Sequence, residues 1–367
     1  MTPGTASEDE KWMSIVLRLA KKGEGSASPN PLVGAVIVSG GEVVGKGWHR
    51  KPGEPHAETL ALTEAGPLTK GATLFVNLEP CSHLGRTPPC VNAVVQAGIT
   101  RVVSSMKDPD PRVAGRGFAA LNKAGIRVEI GPGAEAAATL NQAYIVHRTS
   151  RRPFVTYKVA ASLDGRAAAS DGSSQWITGE AARLDAHRVR ARSDAICVGV
   201  GTVVKDNPAL TVRGVRKFRS PLKVVVDSAA KTPPEAELLK QGRILVAVGS
   251  GAPKKRVKAL KDCGAEVMQF QTDSGKVPLP LLAKTLADRG VLSMLLEGGP
   301  KLAGHFLECG LIDKFLLYLA PKLLGGMGAR AVIEDWAIPT LGDALSLRIT
   351  SVRRLAEDLR VEAIMLR

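Results

Sequence analysis

The chain has 367 residues, of which 44% are hydrophobic and 23% charged, a composition typical of packed globular domains. About 100–200 residues make up a usual domain, so the length predicts two. The absence of any apolar run of about 18 residues argues against a membrane span, and the first residues lack the pattern of a secretory signal. The net charge of +15 would suit nucleic acid, but aromatic residues make up only 4%, which is few for base stacking.

The cysteines are scattered over a long stretch of chain, at positions 81, 90, 197, 263 and 309. An odd number without regular spacing favours free thiols in a reducing compartment over a disulfide framework. We therefore expect a cytoplasmic protein whose cysteines are either buried, free or bound to a metal.

The first part of the chain alternates helical and extended patterns. Apolar spacing, glycines and prolines predict helices over 8–22, 56–65, 88–97 and 115–124, and strands over 33–39, 42–47, 72–78, 101–105 and 126–130. Gly40-Gly41 predicts a hairpin turn between the first two strands. This order predicts a sheet covered by helices. A helical and then basic stretch, 134–152, follows, and we place the domain boundary there, with domains 1–147 and 148–367.

The second part again alternates strands and helices, which predicts a second α/β domain. The predicted strands are 154–160, 195–199, 222–227, 243–248, 265–269, 292–296 and 313–319, with a strand pair in 346–366. The predicted helices are 179–192, 253–262, 278–289 and 300–309.

His56, Glu58, Cys81 and Cys90 form the most informative pattern in the chain. A catalytic zinc needs three protein ligands and an open position for water. A hydrolytic deaminase also needs a glutamate that stays outside the coordination shell and transfers protons. We assign His56, Cys81 and Cys90 as zinc ligands and Glu58 as the proton carrier. Two alternatives remain open here: a structural zinc with His83 as fourth ligand, and residues that only pack.

With these residues in this order, the first ~145 residues resemble the cytidine-deaminase superfamily, which implies a three-layer α/β/α sandwich. Asn30, in Pro-Asn-Pro-Leu-Val-Gly, matches the asparagine that contacts substrate in that superfamily. Cys81 and Cys90 enclose eight residues where most members have two, and this insert resembles the deaminases of riboflavin biosynthesis. The resemblance implies that His49 also contacts substrate. His83 and Arg86 in the insert are candidates for a ribose phosphate.

Residues from about 150 onward resemble the dihydrofolate-reductase-like half of the same riboflavin-biosynthesis family, through segments 158–165, 174–178, 199–202, 206–213 and 296–300. Gly298-Gly299 ends an apolar strand and opens a helix, where free N–H groups suit a pyrophosphate. The resemblance implies two residue sets. The NADPH contacts would be Ala160, Trp176, Thr202, Asp206, Ser228, Gly299, Pro300, Lys301, Leu302, Ala303, Gly304 and His305; the substrate contacts would be Lys158, Ser174, Arg190, Leu210, Arg213 and Glu297.

Together the two resemblances imply a bifunctional enzyme that uses Zn2+ and NADPH. It would deaminate 2,5-diamino-6-(5-phosphoribosylamino)pyrimidin-4-one and then reduce the ribose of 5-amino-6-(5-phosphoribosylamino)uracil to ribityl. The expected partners are a phosphorylated small-molecule pyrimidine and further copies of the chain, not nucleic acid or a membrane. Two rivals are a nucleic-acid-editing deaminase with an accessory domain, and a zinc-stabilised module that binds a nucleotide without turnover.

Overall fold

The computed structural model describes residues 3–84, 88–111 and 113–366, with side chains from residue 8 onward. The chain divides into two compact units, Met1–Arg151 and Arg152–Arg367. The predicted boundary after residue 147 falls within the helix Gln142–Ser150, four residues before the end of the first unit. Arg86, one of the predicted substrate contacts, lies outside the described residues.

The first unit follows the predicted order of helices and strands. Its helices are α1 (Pro3–Lys21), α2 (Ala57–Ala65), α3 (Cys90–Gln96), α4 (Arg116–Lys123), α5 (Ala134–Leu140) and α6 (Gln142–Ser150). Its strands are β1 (Gly34–Ser39), β2 (Glu42–Trp48), β3 (Thr73–Val76), β4 (Arg101–Ser104) and β5 (Arg127–Ile130). Gly40 and Gly41 both have positive φ, at 59° and 81°, which suits the tight turn joining β1 to β2.

The strands of this unit form one mixed sheet in the order β2-β1-β3-β4-β5. β1 is antiparallel to β2 and β3, whereas β3, β4 and β5 run parallel. Successive residues of a strand point to opposite faces. Ile37, Leu74 and Val102 accordingly pack with α2, α3 and α4, while Phe75 and its neighbours pack under Trp12 and other residues of α1. This confirms the predicted α/β/α layers.

The second unit contains the remaining elements, which also match the predicted alternation. Its strands are β6 (Phe154–Ser162), β7 (Arg166–Ala168), β8 (Ala195–Gly199), β9 (Leu222–Val226), β10 (Ile244–Gly249), β11 (Glu266–Phe270), β12 (Ser293–Leu296), β13 (Lys314–Ala320), β14 (Arg330–Ala331), β15 (Leu347–Leu355) and β16 (Asp358–Met365). Its helices are α7 (Glu180–Arg192), α8 (Val200–Asp206), α9 (Lys254–Asp262), α10 (Leu279–Asp288) and α11 (Pro300–Glu308).

Most of these strands form a sheet in the order β11-β10-β9-β8-β12-β6-β13-β16-β15, in which β15 and β16 are antiparallel additions to a parallel sheet. One face packs against α10 and α11, through Leu282, Leu286 and Phe306. The other face packs against α8 and α9, through Val203 and Leu260. Binding sites in such sheets lie at the carboxyl ends of the parallel strands, where β8 leads into α8 and β12 into α11.

Candidate active sites

The side chains of His56, Cys81 and Cys90 come together in the first unit. Their donor atoms all lie within 4.8 Å of one another. The Nδ1 atom of His56 is 3.1 Å from the Cys90 sulfur and 3.6 Å from the Cys81 sulfur. Zinc bonds of 2.0–2.3 Å in a tetrahedron place two ligand atoms roughly 3.5–4 Å apart, so one imidazole and two thiols at these separations fit a zinc ion.

Each of the three donor residues lies where a loop meets, or follows, a helix or strand. His56 is the residue before α2, in extended conformation, and Cys90 is the first residue of α3. Cys81 follows β3, and its sulfur accepts a hydrogen bond of 3.3 Å from the Cys90 backbone N–H. The predicted helix over 56–65 therefore begins one residue later than expected, and His56 is its N-cap residue and not part of its first turn.

The charges at this site depend on one another. A hydrogen bond from the Cys90 thiol lowers the pKa of Cys81, whereas the same bond raises the pKa of Cys90. The hydrogen bond with Cys81 also raises the pKa of His56, against the effect of burial. A bound cation would favour the thiolate form of both cysteines.

Glu58 lies in the first turn of α2 and is 4% exposed. Burial raises the pKa of its carboxyl group, and the negative charge of Cys81 raises it further. It lines the same pocket as His56 and Cys81 but is not one of the clustered donors. A carboxyl group with a raised pKa beside a metal site is suited to accepting and returning a proton.

Asn30 and His49 are hydrogen-bonded to each other at the mouth of the same site. The Asn30 Nδ2 atom is 2.9 Å from the His49 Nε2 atom, and the His49 ring meets the His56 ring edge to face at 5.3 Å. Burial lowers the pKa of His49, which favours the neutral ring that can accept from the amide. This bond uses the Asn30 amide nitrogen, and the side-chain oxygen is the atom with which Asn30 can accept a hydrogen bond.

A pocket of about 330 Å³ is lined by Asn30, His49, His56, Glu58 and Cys81. The exposed residue His83 also lines it. The pocket also includes residues that our reading of the sequence missed: Glu79, Asp108, Asp110, Tyr144 and Arg148. The two aspartates follow β4, at the carboxyl end of a parallel strand, so this position was a usable signal. Tyr144 and Arg148 are four residues apart on α6, and nothing local ties that helix to the metal site.

Glu79 organises the loop that carries those aspartates. Its side chain is buried, and its two carboxylate oxygens accept hydrogen bonds from the backbone N–H groups of Asp108, Gly115 and Gly117, at 3.1, 2.9 and 2.7 Å. The last two lie at the start of α4, where a negative charge is favourable. Glu79 therefore has a structural role at the pocket wall.

In the second unit, Lys158, Arg190 and Glu297 form a largely buried cluster, with side chains 20%, 16% and 7% exposed. Arg190 donates to both oxygens of Glu297, at 2.5 and 2.8 Å, and the Lys158 ammonium lies 3.7 Å from the same carboxylate. Burial alone would raise the pKa of Glu297, but the charges of Arg190 and Lys158 outweigh it and lower the pKa to about 2. Glu297 is thus ionised at neutral pH, and Arg190, a predicted substrate contact, already binds a carboxylate.

A glycine turn lies directly after Glu297 of this cluster. Gly298-Gly299 follows β12 and precedes α11, and a Cβ atom built on Gly298 would lie 2.7 Å from the Leu302 side chain. A Cβ atom on Gly299 would lie 3.8 Å from Thr202 Oγ1, so α8 and α11 start side by side. Two adjacent helix N-termini with room left by glycine fit the phosphates of a dinucleotide.

The other predicted reductase residues are spread around the same edge of the sheet. Ala160 lies near the end of β6, Asp206 ends α8, and Ser228 follows β9. Trp176 is 63% exposed, with the Arg183 guanidinium 4.7 Å from its ring centre. Lys301 and His305 are exposed on α11, Pro300 and Leu302 are half-buried on it, and Ser174 is half-buried.

Of the remaining predicted reductase contacts, three are buried and one lies on the surface. Ala303 is fully buried in the core, and a Cβ atom on Gly304 would lie 2.0 Å from the Glu334 carbonyl oxygen, so both residues pack against the protein interior. Leu210 is also buried, with a positive φ of 49°. Arg213 is exposed, and its backbone N–H donates to the His187 Nδ1 atom at 3.4 Å. His187 was not predicted.

Comparison with known proteins accounts for both units. Residues 6–106 match the cytidine and deoxycytidylate deaminase zinc-binding region, and residues 153–361 match the RibD C-terminal domain. The riboflavin biosynthesis protein RibD of Bacillus amyloliquefaciens is 41% identical over 361 residues, covering 97% of this chain and 96% of the relative. The chain belongs to the RibD family. The Escherichia coli RibD is 39% identical, covering 96% of this chain and 98% of the relative.

Solved structures of the RibD family extend the match to the whole fold. RibD of Acinetobacter baumannii has a TM-score of 0.89 at 39% identity, covering 99% of this chain and 100% of that one. A diaminohydroxyphosphoribosylaminopyrimidine deaminase/5-amino-6-(5-phosphoribosylamino)uracil reductase from Thermotoga maritima has a TM-score of 0.85 at 31% identity, covering 98% and 99%. The predicted fold class and bifunctional activity are therefore confirmed, and zinc and NADPH are the cofactors. Within the described residues, no helix is long and apolar enough to cross a membrane.

Proposed function

We propose that the first unit deaminates 2,5-diamino-6-(5-phosphoribosylamino)pyrimidin-4-one and that the second reduces the ribosyl group of 5-amino-6-(5-phosphoribosylamino)uracil to ribityl. The Thermotoga relative, whose description names these compounds, supports this substrate pair. The observation that carries the proposal is the clustering of the His56, Cys81 and Cys90 donor atoms at a pocket that buried Glu58 also lines.

In the deaminase site, His56, Cys81 and Cys90 would hold zinc, which when bound makes water nucleophilic at neutral pH. Glu58 would carry one proton from that water to the pyrimidine ring nitrogen and then a second, from the hydroxyl group added to the ring, to the amine that leaves as ammonia. The raised pKa of Glu58 suits both directions of transfer. Asn30, oriented by His49, would accept a hydrogen bond from the ring. His83 and Arg86 remain candidates for the ribose phosphate.

In the reductase site, NADPH supplies the hydride, and the protein orients the open-chain sugar toward it. The start of α11 at Gly299, together with Thr202, would hold the cofactor phosphates. Because Glu297 is a carboxylate, it can accept hydrogen bonds from sugar hydroxyls, and the Lys158 ammonium is the better placed proton donor. Arg190 would fix Glu297, while Arg213 would take the phosphate.

We further propose that the enzyme takes phosphorylated small molecules and not nucleic acid, because a pocket of about 330 Å³ suits one nucleotide-sized ligand. It would work in the cytoplasm, where Cys81 and Cys90 stay reduced for the metal.

It would also form homo-oligomers, since edge strand β15 carries exposed apolar residues that a second copy would cover: Leu347, Ile349 and Val352.

The test is incubation of the zinc-loaded enzyme with the diaminopyrimidinone phosphate, with and without NADPH, while ammonia and NADPH are followed separately. We expect ammonia in both cases and NADPH consumption only after deamination. Glu58→Gln should retain zinc and lose ammonia release by about 100-fold or more, the usual size of a general acid–base contribution. Full ammonia release by that variant would contradict the role of Glu58.

A further inference from the structure

Arg148 belongs to the wall of the deaminase pocket although it comes from the last helix of the first unit. It lines the pocket together with His56, Glu58 and Cys81. Tyr144, one turn earlier on α6, lies beneath it, and the guanidinium carbon is 5.0 Å from the centre of that ring. The Arg148 side chain is 26% exposed, so its position is defined by packing while part of it still faces the open pocket.

The charge of Arg148 is only loosely paired. Its Nε atom is 3.8 Å from Asp110 Oδ2, beyond hydrogen-bond distance, and this buried nitrogen has no hydrogen-bond partner among the described residues. Arg101 and Arg152 are different, because each donates two hydrogen bonds of 2.6–3.0 Å to a single aspartate. Those arginines act as structural clamps, whereas Arg148 keeps capacity to bind a ligand.

The pocket around Arg148 is otherwise acidic. Of its described lining residues, Arg148 is the one with a lysine or arginine charge, against four carboxyl groups: Glu58, Glu79, Asp108 and Asp110. Glu79 is occupied by backbone N–H groups, and Asp108 accepts from the Asp110 backbone at 2.8 Å and from the Tyr144 hydroxyl at 3.3 Å. A dianionic phosphate entering this pocket would be repelled unless a cation met it.

We propose that Arg148 binds the phosphate group of the deaminase substrate and so selects the phosphorylated compound. This inference rests on the proposed deaminase function. A guanidinium offers paired N–H donors that match phosphate oxygens, and stacking on Tyr144 holds the fork in one orientation. Asp110 keeps the arginine at the pocket wall without occupying it through a close bond.

The experiment compares ammonia release from the diaminopyrimidinone phosphate and from the same compound without its phosphate. The ratio of the two kcat/KM values isolates the contribution of the phosphate. Hydrogen bonds between charged groups contribute about 1.5–3 kcal/mol, so Arg148→Met should reduce the ratio by about 10- to 100-fold, mainly through KM. Arg148→Lys, which keeps the charge but loses the fork, should give an intermediate ratio. Zinc content should stay at the wild-type level.

Arg50→Met is the matched control, because Arg50 also stacks on an aromatic ring at 5.0 Å, that of Trp48, but is not among the pocket residues. It should leave the ratio unchanged. An unchanged ratio in both Arg148 variants would overturn the proposal, even if their overall activity fell, because Arg148 would then act only on structure. Wild type that releases no ammonia from either compound would instead refute the deaminase function itself, and this inference with it.

Discussion

Glu297 illustrates at the residue scale how a charge is kept inside the second unit. Its side chain is 7% exposed and lies between Arg190 and Lys158. Removing one member of a buried ion pair leaves the other without compensation and costs about 3–5 kcal/mol. The pKa of about 2, against an ordinary value of 4.5, means that the folded state favours the carboxylate. The contribution of this carboxylate to stability is complete when the pH is above 4.5, its ordinary pKa in the unfolded state. It is lost as the pH falls through the folded-state pKa of about 2.

We therefore predict that Glu297→Gln lowers the free energy of unfolding by about 3–5 kcal/mol at pH 7. The difference from wild type should narrow as pH falls from about 4.5 toward 2, because only wild type loses this contribution. Urea unfolding across that range measures it. Glu266→Gln, which breaks an exposed pair with Arg289, should cost about 1 kcal/mol or less. If the difference in unfolding free energy between wild type and Glu297→Gln stays constant down to pH 3, the Glu297 carboxylate does not stabilise the fold through its charge.

At the element scale, the position of α2 depends on two glycines of β2. A Cβ atom on Gly47 would lie 2.4 Å from the Ala57 carbonyl oxygen, and one on Gly45 would lie 2.2 Å from that of Ala61. The helix thus packs directly on the strand backbone. Since His56 and Glu58 sit at the start of α2, this close contact sets the metal donor and the proton carrier relative to the sheet.

Gly47→Ala should displace the start of α2, because the added methyl group meets backbone and not a flexible side chain. Overpacking of this kind costs about 1–3 kcal/mol, and we expect at least about tenfold weaker zinc binding and ammonia release. Metal content and ammonia assays check this. Gly251→Ala is the control, since a Cβ atom there meets nothing within 4 Å. Wild-type zinc affinity in Gly47→Ala would mean that α2 adjusts without moving His56.

At the scale of the whole molecule, each unit has its own hydrophobic core. The metal donors all belong to Met1–Arg151, and the Lys158, Arg190 and Glu297 cluster belongs to Arg152–Arg367. Each of these two residue sets therefore belongs to a single unit. Damage confined to one set of donors should affect one reaction and spare the other.

Cys81→Ser should remove zinc and abolish ammonia release, because a hydroxyl is a poor replacement for a thiolate ligand. NADPH-dependent reduction of supplied 5-amino-6-(5-phosphoribosylamino)uracil should stay within about twofold of wild type. The substitution leaves the packing of the second unit intact and should therefore change the stability of that unit little. Cys263→Ser changes an exposed thiol of the second unit and should alter neither reaction. Loss of both activities in Cys81→Ser would contradict two separately assembled sites.

Local patterns were enough to predict most helices and strands to within a few residues. β1 and β2 with their glycine turn, and α7 and α11, follow apolar spacing and end signals that act over a few residues. α8 was missed because it has only seven residues, beginning at Val200 directly after Gly199, which is too few for a clear apolar period. The pairing of β7 with β14 joins residues 166–168 to residues 330–331, which no local pattern can reveal.

The sequence by itself determined the chemistry: His56, Glu58, Cys81 and Cys90 are specific in type and order, and they predicted a zinc site before any fold was known. Only the tertiary structure decided which charges face one another. In the tertiary structure Arg190 binds Glu297. Arg148, which the sequence pattern assigned to the domain boundary, lies in the wall of the deaminase pocket. The reason is physical: periodicity records which side of an element is buried, but the partner of a buried charge is chosen by packing between distant segments.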